Sequence, residues 1–82
     1  MANLFKTTIL TREKTLYQGD IVSLVAPGEI GYLGILANHV PLMTSLVPGK
    51  VTLRDEFGKT TTIKSAGNGF LEVRKNDVLI LL

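Results

Sequence analysis

The chain has no cysteine and no tryptophan, a single histidine, and five aromatic residues (three Phe, two Tyr) among 82 positions. Without cysteine there are no disulfides and no thiolate metal sites, which fits a reducing compartment. One histidine and scattered carboxylates give no ligand spacing for a metal, and no cofactor signature is present. Charge of one sign is also scarce. Nine Lys and Arg against seven Asp and Glu leave a formal net charge of +2. The cations are spread along the chain with acids between them, so nucleic acid is not an expected partner. No apolar run approaches the roughly 18 residues that a membrane-spanning helix requires. Met-Ala-Asn-Leu-Phe-Lys opens the chain without a signal-peptide hydrophobic region. These absences predict a soluble, unexported protein.

A sustained 3.6-residue apolar period is missing too, whereas period-two alternation recurs. The pattern predicts strands over Leu4–Leu10, Thr15–Gln18, Ile21–Ala26, Gly31–Leu36, Leu42–Leu46, Lys50–Arg54, Thr60–Ser65, Phe70–Val73 and Val78–Leu82. Polar, Gly or Pro punctuation separates them: Thr11–Lys14, Gly19-Asp20, Pro27-Gly28, Ala37–Pro41, Val47-Pro48-Gly49, Asp55–Gly58, Gly67-Asn68-Gly69 and Lys75–Asp77. Ile21–Ala26 is apolar nearly throughout and is expected to be covered on both faces. The glycines of Gly31–Leu36 suggest a bulge or a close backbone approach. Val51 and Leu53 alternate with Lys50 and Arg54, apolar in and charged out. About nine or ten short strands and no helix describe an all-β protein, a small antiparallel β-sandwich or flattened barrel formed by residues 1–82 as one domain.

The richest stretch is residues 25–49. It holds all three prolines, the only histidine and four of the eight glycines, yet its side chains are mainly apolar. Glycine and proline fix the path of the backbone. An apolar segment on a fixed path is a candidate surface for a partner protein. Hydrophobic residues make up 45% of the chain. A domain this short buries only about 60–65% of its unfolded surface. Apolar area left exposed points to an assembly.

Catalytic constellations do not emerge. A nucleophilic triad would need His39 between Ser23, Ser45 or Ser65 and Asp20, Asp55 or Asp77, and no local motif supports it. A loop-capping or interface role suits His39 better. Gly28-x-x-Gly31-x-x-Gly34 imitates a phosphate-cradling run, but a helix would have to open directly after it. Strand and loop follow instead. Gly58-Lys59-Thr60 copies the end of a P-loop, with Leu53 where the first glycine belongs. Asp55 and Glu56 share a turn, where acids support the turn itself. Lys59 and Lys75 on hairpin tips raise the alternative of a lipoyl or biotinyl carrier domain. Their neighbours (Gly58 and Thr60, Arg74 and Asn76) lack the acidic or methionine-flanked pattern of such carriers.

Three blocks carry a resemblance: Gly31-Tyr32-Leu33-Gly34-Ile35, then His39-Val40-Pro41-Leu42-Met43-Thr44, then Leu46-Val47-Pro48-Gly49-Lys50-Val51. Gly69-Phe70-Leu71-Glu72-Val73 and Leu16-Tyr17-Gln18-Gly19 extend it over essentially the whole sequence. The chain resembles the N-terminal β-sandwich of the epsilon subunit of F-type ATP synthase. The resemblance implies a non-catalytic rotor component in the central stalk, held between the gamma subunit and the membrane c-ring, so that proton-driven rotation supports ATP synthesis. It implies a large hetero-oligomer that is peripheral to the energy-transducing membrane on its cytoplasmic (or matrix- or stroma-equivalent) face. By analogy, Glu29, Ile30, Gly31 and Tyr32, with His39, Val40, Pro41, Leu42 and Thr44, lie toward the c-ring loops and the foot of gamma. Family members often carry an acid where Tyr32 stands; here Glu29 is left to offer that charge. Most of the family adds a two-helix hairpin that inhibits ATP hydrolysis and in some members binds ATP. These 82 residues include no such segment, so neither activity is carried over.

Overall fold

The computed structural model describes residues 3–82. Nine strands follow in order: β1 (Phe5–Leu10), β2 (Thr15–Ile21), β3 (Ser23–Gly28), β4 (Gly31–Leu36), β5 (Leu42–Leu46), β6 (Gly49–Arg54), β7 (Thr60–Ser65), β8 (Gly69–Arg74) and β9 (Asp77–Leu81). They form one continuous sheet in the order β2-β1-β9-β8-β5-β3-β6-β7, with β4 paired to the other edge of β3. The sheet curls on itself. β2-β1-β9-β8-β5 makes one wall and β4-β3-β6-β7 the other, joined where Gly28 pairs with Leu46. The all-β expectation holds, and no element among the described residues is a helix.

Alternation decides which side chains fill the space between the walls. Ile9, Ile21, Leu24, Ile35, Leu46, Val51, Leu53, Leu71, Val78 and Ile80 are each at most 1% exposed. Fully burying such a side chain is worth about 1.5–3 kcal/mol. Lys50 and Arg54 point outward from β6, as the alternation predicts. The β6–β7 hairpin turn conforms to its sequence. At the β6–β7 hairpin Asp55 Oδ1 accepts the N–H groups of Phe57 and Lys59, each at 2.9 Å, and Gly58 sits at φ 84°.

Several expectations are corrected. Gly19-Asp20 does not close β2 but lies inside it, paired with Thr7 and Lys6. Pro27-Gly28 is not a turn; both residues belong to β3, and the turn is Glu29-Ile30. Gly49, Gly69 and Asp77 open strands instead of ending turns. The β3–β4 ladder runs from Ser23↔Leu36 to Gly28↔Gly31 with no bulge. The irregularity lies elsewhere, between Ile9 and Leu10 against β2. Val25 is 41% exposed, so the Ile21–Ala26 stretch is not covered on both faces. One pairing also departs from the antiparallel pattern. β1 and β9 run parallel from Lys6↔Asp77 to Leu10↔Leu81, and Lys6 N–H to Asn76 O (3.1 Å) and Leu82 N–H to Leu10 O (2.8 Å) extend that ladder at both ends.

Among the described residues Thr7 is the one buried polar residue, fully buried between Gly19 and Val78, and its Oγ1 has no hydrogen-bond partner. A buried hydroxyl without a partner costs about 1–3 kcal/mol. Thr7→Val removes that cost at nearly constant shape. The expected outcome is a stability gain of about 1 kcal/mol in urea denaturation, and a loss of stability would refute this account of Thr7.

Candidate functional site

The strand switch at Pro27-Gly28 builds the site. β3 pairs with β6 through Val25↔Thr52, and two residues further on the same register would set Pro27 against Lys50. Proline has no N–H to give that ladder. Its carbonyl turns instead to the Val47 N–H at 2.9 Å, and Gly28 pairs with Leu46 of the opposite wall. The Lys50 N–H thereby loses its ladder acceptor and donates to the Tyr32 hydroxyl at 3.2 Å. A Cβ on Gly49 would stand 2.8 Å from that hydroxyl and 2.9 Å from Pro27 Cβ, so the tyrosine seats over a position that only glycine leaves open.

Beyond Gly28 the chain reverses through Glu29-Ile30, and Gly31 takes φ 144°, a region that side chains other than glycine avoid. β4 returns as an edge strand. β5 is likewise unpaired along its edge toward β4, apart from the contact of Leu46 with Gly28. Between these two edges lies an open, mostly apolar groove of about 330 Å³, lined by Gly28, Glu29, Ile30, Gly31, Tyr32, Leu33, Leu42 and Thr44. Ile30 is fully exposed at its rim and Tyr32 is 61% exposed. Glu29 is the one charged residue in the lining.

Of the nine expected interface residues, the structure brings six together here: Glu29, Ile30, Gly31, Tyr32, Leu42 and Thr44. His39, Val40 and Pro41 lie in the β4–β5 connection and do not line the groove. That connection is held by its own backbone. His39 N–H donates to Leu36 O, His39 Nδ1 lies 2.7 Å from Val40 O, and Asn38 N–H donates to Asn76 Oδ1 at 3.0 Å. Asn38 and Asn76 are both at positive φ. His39 thus bonds within its own loop, and three of the six candidate triad partners are engaged elsewhere. Asp77 pairs with Arg74, Asp55 accepts amides of its turn, and Ser65 Oγ donates to Gly67 O. Gly28 and Leu33 also line the groove, although the expected interface did not include them. The signal for Leu33 was its two-residue spacing from the core residue Ile35; for Gly28 there was none. Lys59 and Lys75 are exposed at hairpin turns, as read.

A family model described as the β-sandwich domain of the ATP synthase delta/epsilon chain matches residues 4–82. The ATP synthase epsilon chain of Dichelobacter nodosus is 40% identical over 81 residues, covering 99% of this chain and 56% of the relative. That of Caulobacter vibrioides is 39% identical over 74 residues, covering 90% of this chain and 84% of the relative. An epsilon chain of Leptospira interrogans, 39% identical, is covered to 61% of its length. The chain therefore spans somewhat more than half of two of these relatives. Among solved structures, a chain of the Euglena gracilis mitochondrial ATP synthase OSCP/F1/c-ring assembly superposes with a TM-score of 0.88 at 22% identity, over 95% of this chain and 49% of that one. A chain of the Tetrahymena thermophila mitochondrial ATP synthase central stalk/c-ring superposes at 0.77 with 17% identity, over 98% and 63%. At such identities the superpositions show the shared fold. None of these similarities supports a carrier domain modified on Lys59 or Lys75.

Gly28 and Gly34 provide a test of the groove's construction. A Cβ on Gly28 would meet Leu33 Cδ2 and stand 2.8 Å from Gly31 O, whereas one on Gly34 meets nothing within 4 Å. Gly28→Ala should destabilise by about 1–3 kcal/mol. Gly34→Ala should be neutral or stabilising by up to about 1 kcal/mol. Thermal denaturation of the two variants checks the contrast, and equal effects would contradict it.

Proposed function

The chain belongs to the β-sandwich family of the ATP synthase delta/epsilon chain, and on that premise we propose that it is a non-catalytic coupler in the central stalk of a rotary ATP synthase. It grips the gamma subunit and the c-ring, so that ring rotation driven by protons is passed to the catalytic head and supports ATP synthesis. It sits peripherally, through its partners, on the cytoplasmic or equivalent face of the membrane. The observation that carries this reading is the groove itself. Six residues named from the sequence converge on one open, apolar seam between two strand edges, at the rim of a body whose interior is packed.

Physical chemistry supports the same role. A coupler transmits force, so its elements must not slide. Nine strands lie in one hydrogen-bonded sheet, and a one-residue slip would turn every buried side chain outward. The groove offers apolar contact from Ile30, Leu33 and Leu42 and one negative charge from Glu29. That is the composition of a small protein-docking seam, with an apolar centre and a charge at the edge. The tyrosine where the family often has an acid contributes area to this surface while its hydroxyl is occupied within the chain.

Co-purification from native membranes in mild detergent tests the proposal. Gamma and the c-ring should be recovered with the chain. Ile30→Asp, at a fully exposed rim position that leaves the core untouched, should weaken recovery by about tenfold, as loss of an apolar anchor does. Leu42→Asp should weaken it at least as much, and Lys59→Asp should not. Recovery of neither partner, or equal losses at Ile30 and Lys59, would sink the proposal.

A further inference from the structure

The two outer faces of the curled sheet carry charge in different ways. On the wall β2-β1-β9-β8-β5, cations face acids in register. Lys6 lies between Asp20 and Asp77, and Arg74 pairs with Asp77 at 3.7 Å. On the wall β4-β3-β6-β7 this compensation is missing. Lys50 of β6 stands directly opposite Lys64 of β7, both exposed. Arg54, four residues along β6, faces Thr60 on one side and Ser23 on the other. Between them Thr52 faces Thr62 and Val25. No outward register position on this wall holds a carboxylate. Glu29 and Glu56 lie in the turns at opposite ends, and the Asp55 carboxylate is taken up by amides of its own turn.

Like charges set directly opposite on neighbouring strands destabilise a sheet. Two lysines could be separated by one exchange of Lys64 for threonine, the residue already at positions 60 and 62. The uncompensated row is therefore a local cost borne by the folded chain, and an anionic partner would offset it. The row is narrow: two ammonium groups side by side, with a guanidinium about 13 Å along the strand. The half-exposed apolar side chain of Val25 (41%), opposite Thr52, borders it. Anionic membrane recognition usually draws on clusters of four to eight basic residues, and three outward cations on a twisted wall fall short of that. A mixed row of charge and apolar surface fits a protein edge.

We propose that the outer face of β3, β6 and β7 docks an acidic protein segment through Lys50, Lys64 and Arg54, separately from the β4–β5 groove. The segment presents carboxylates to the three cations and an apolar side chain to Val25. The proposal does not depend on the coupler reading, because it concerns a different surface and is tested on the chain alone.

Poly-L-glutamate serves as the probe, titrated into isotope-labelled chain and followed by amide resonances. The shifts should concentrate at Lys50, Thr52, Thr62 and Lys64 and fade as salt shortens the screening length. Lys64→Glu should reduce the affinity at least about tenfold without lowering the melting temperature, since it sets opposite charges across the ladder. Lys6→Gln, on the other wall, should leave the affinity unchanged. Absence of binding, shifts spread over both walls, or full affinity in Lys64→Glu would overturn the proposal. Co-sedimentation with phosphatidylglycerol vesicles in the absence of poly-L-glutamate binding would also overturn it, by assigning the face to lipid.

Discussion

The missing N–H of Pro27 is the constraint from which most of this structure follows. In an extended strand a residue's N–H and C=O point to the same side. Pro27 therefore presents to β6 a carbonyl without its matching donor. The ladder that begins at Ser23↔Arg54 stops after Val25↔Thr52, and the Pro27 carbonyl is claimed by Val47. One residue later Gly28 is already paired with the opposite wall. A central strand normally excludes proline. Here the exclusion is put to use, because the break in one ladder is the point where the sheet folds over to become two walls. The surrounding residues are chosen accordingly: no Cβ at Gly28 or Gly49, and a tyrosine hydroxyl that takes up the orphaned Lys50 N–H.

That turnover leaves two strand edges facing each other without closing. Pairing of β4 with β5 would have covered both of these edges. Instead Leu33 and Leu42, both packed against the core, form the floor of a groove that remains open to solvent. Unpaired edges invite association. β2 and β7 also end the sheet with unpaired outer edges, and the seam between β4 and β5 adds an apolar lining with a fully exposed isoleucine and one carboxylate at its rim.

The sequence made the strands legible far more readily than their pairing. Gly31–Leu36, Leu42–Leu46 and Thr60–Ser65 were readable to the residue, because period-two alternation reports burial and these segments are buried on one side only. The errors fall where local chemistry and tertiary context disagree. Pro27-Gly28 has the composition of a turn, and nothing local says that two sheets need that strand at that point. Gly19-Asp20 reads as a terminator, yet β1 holds both residues in register. The parallel β1–β9 pair joins residues more than seventy positions apart and leaves no local trace. The site was partly legible for a related reason. Gly, Pro and apolar density marks a fixed, greasy backbone, which identified both the hairpin and β5. It could not separate the residues that line the groove from His39, Val40 and Pro41, whose connection spends its polar groups on its own backbone and on Asn76.

A body of this size cannot hide a site in its interior. The core residues from both walls are almost all fully buried and form one cluster, and among the described residues Thr7 is the only polar one buried with them. Recognition is left to the outside, which offers three kinds of surface: two outer faces, the open seam, and the loops at the ends. The seam is apolar with one acid. One face balances its charges in register, and the other leaves three cations unanswered. An apolar seam gains from shape and desolvation and tolerates salt, whereas a row of exposed cations acts over a screening length and weakens in salt. A single small sheet thus carries two surfaces of different physics, and the division follows from where the proline forced the strand to change sides.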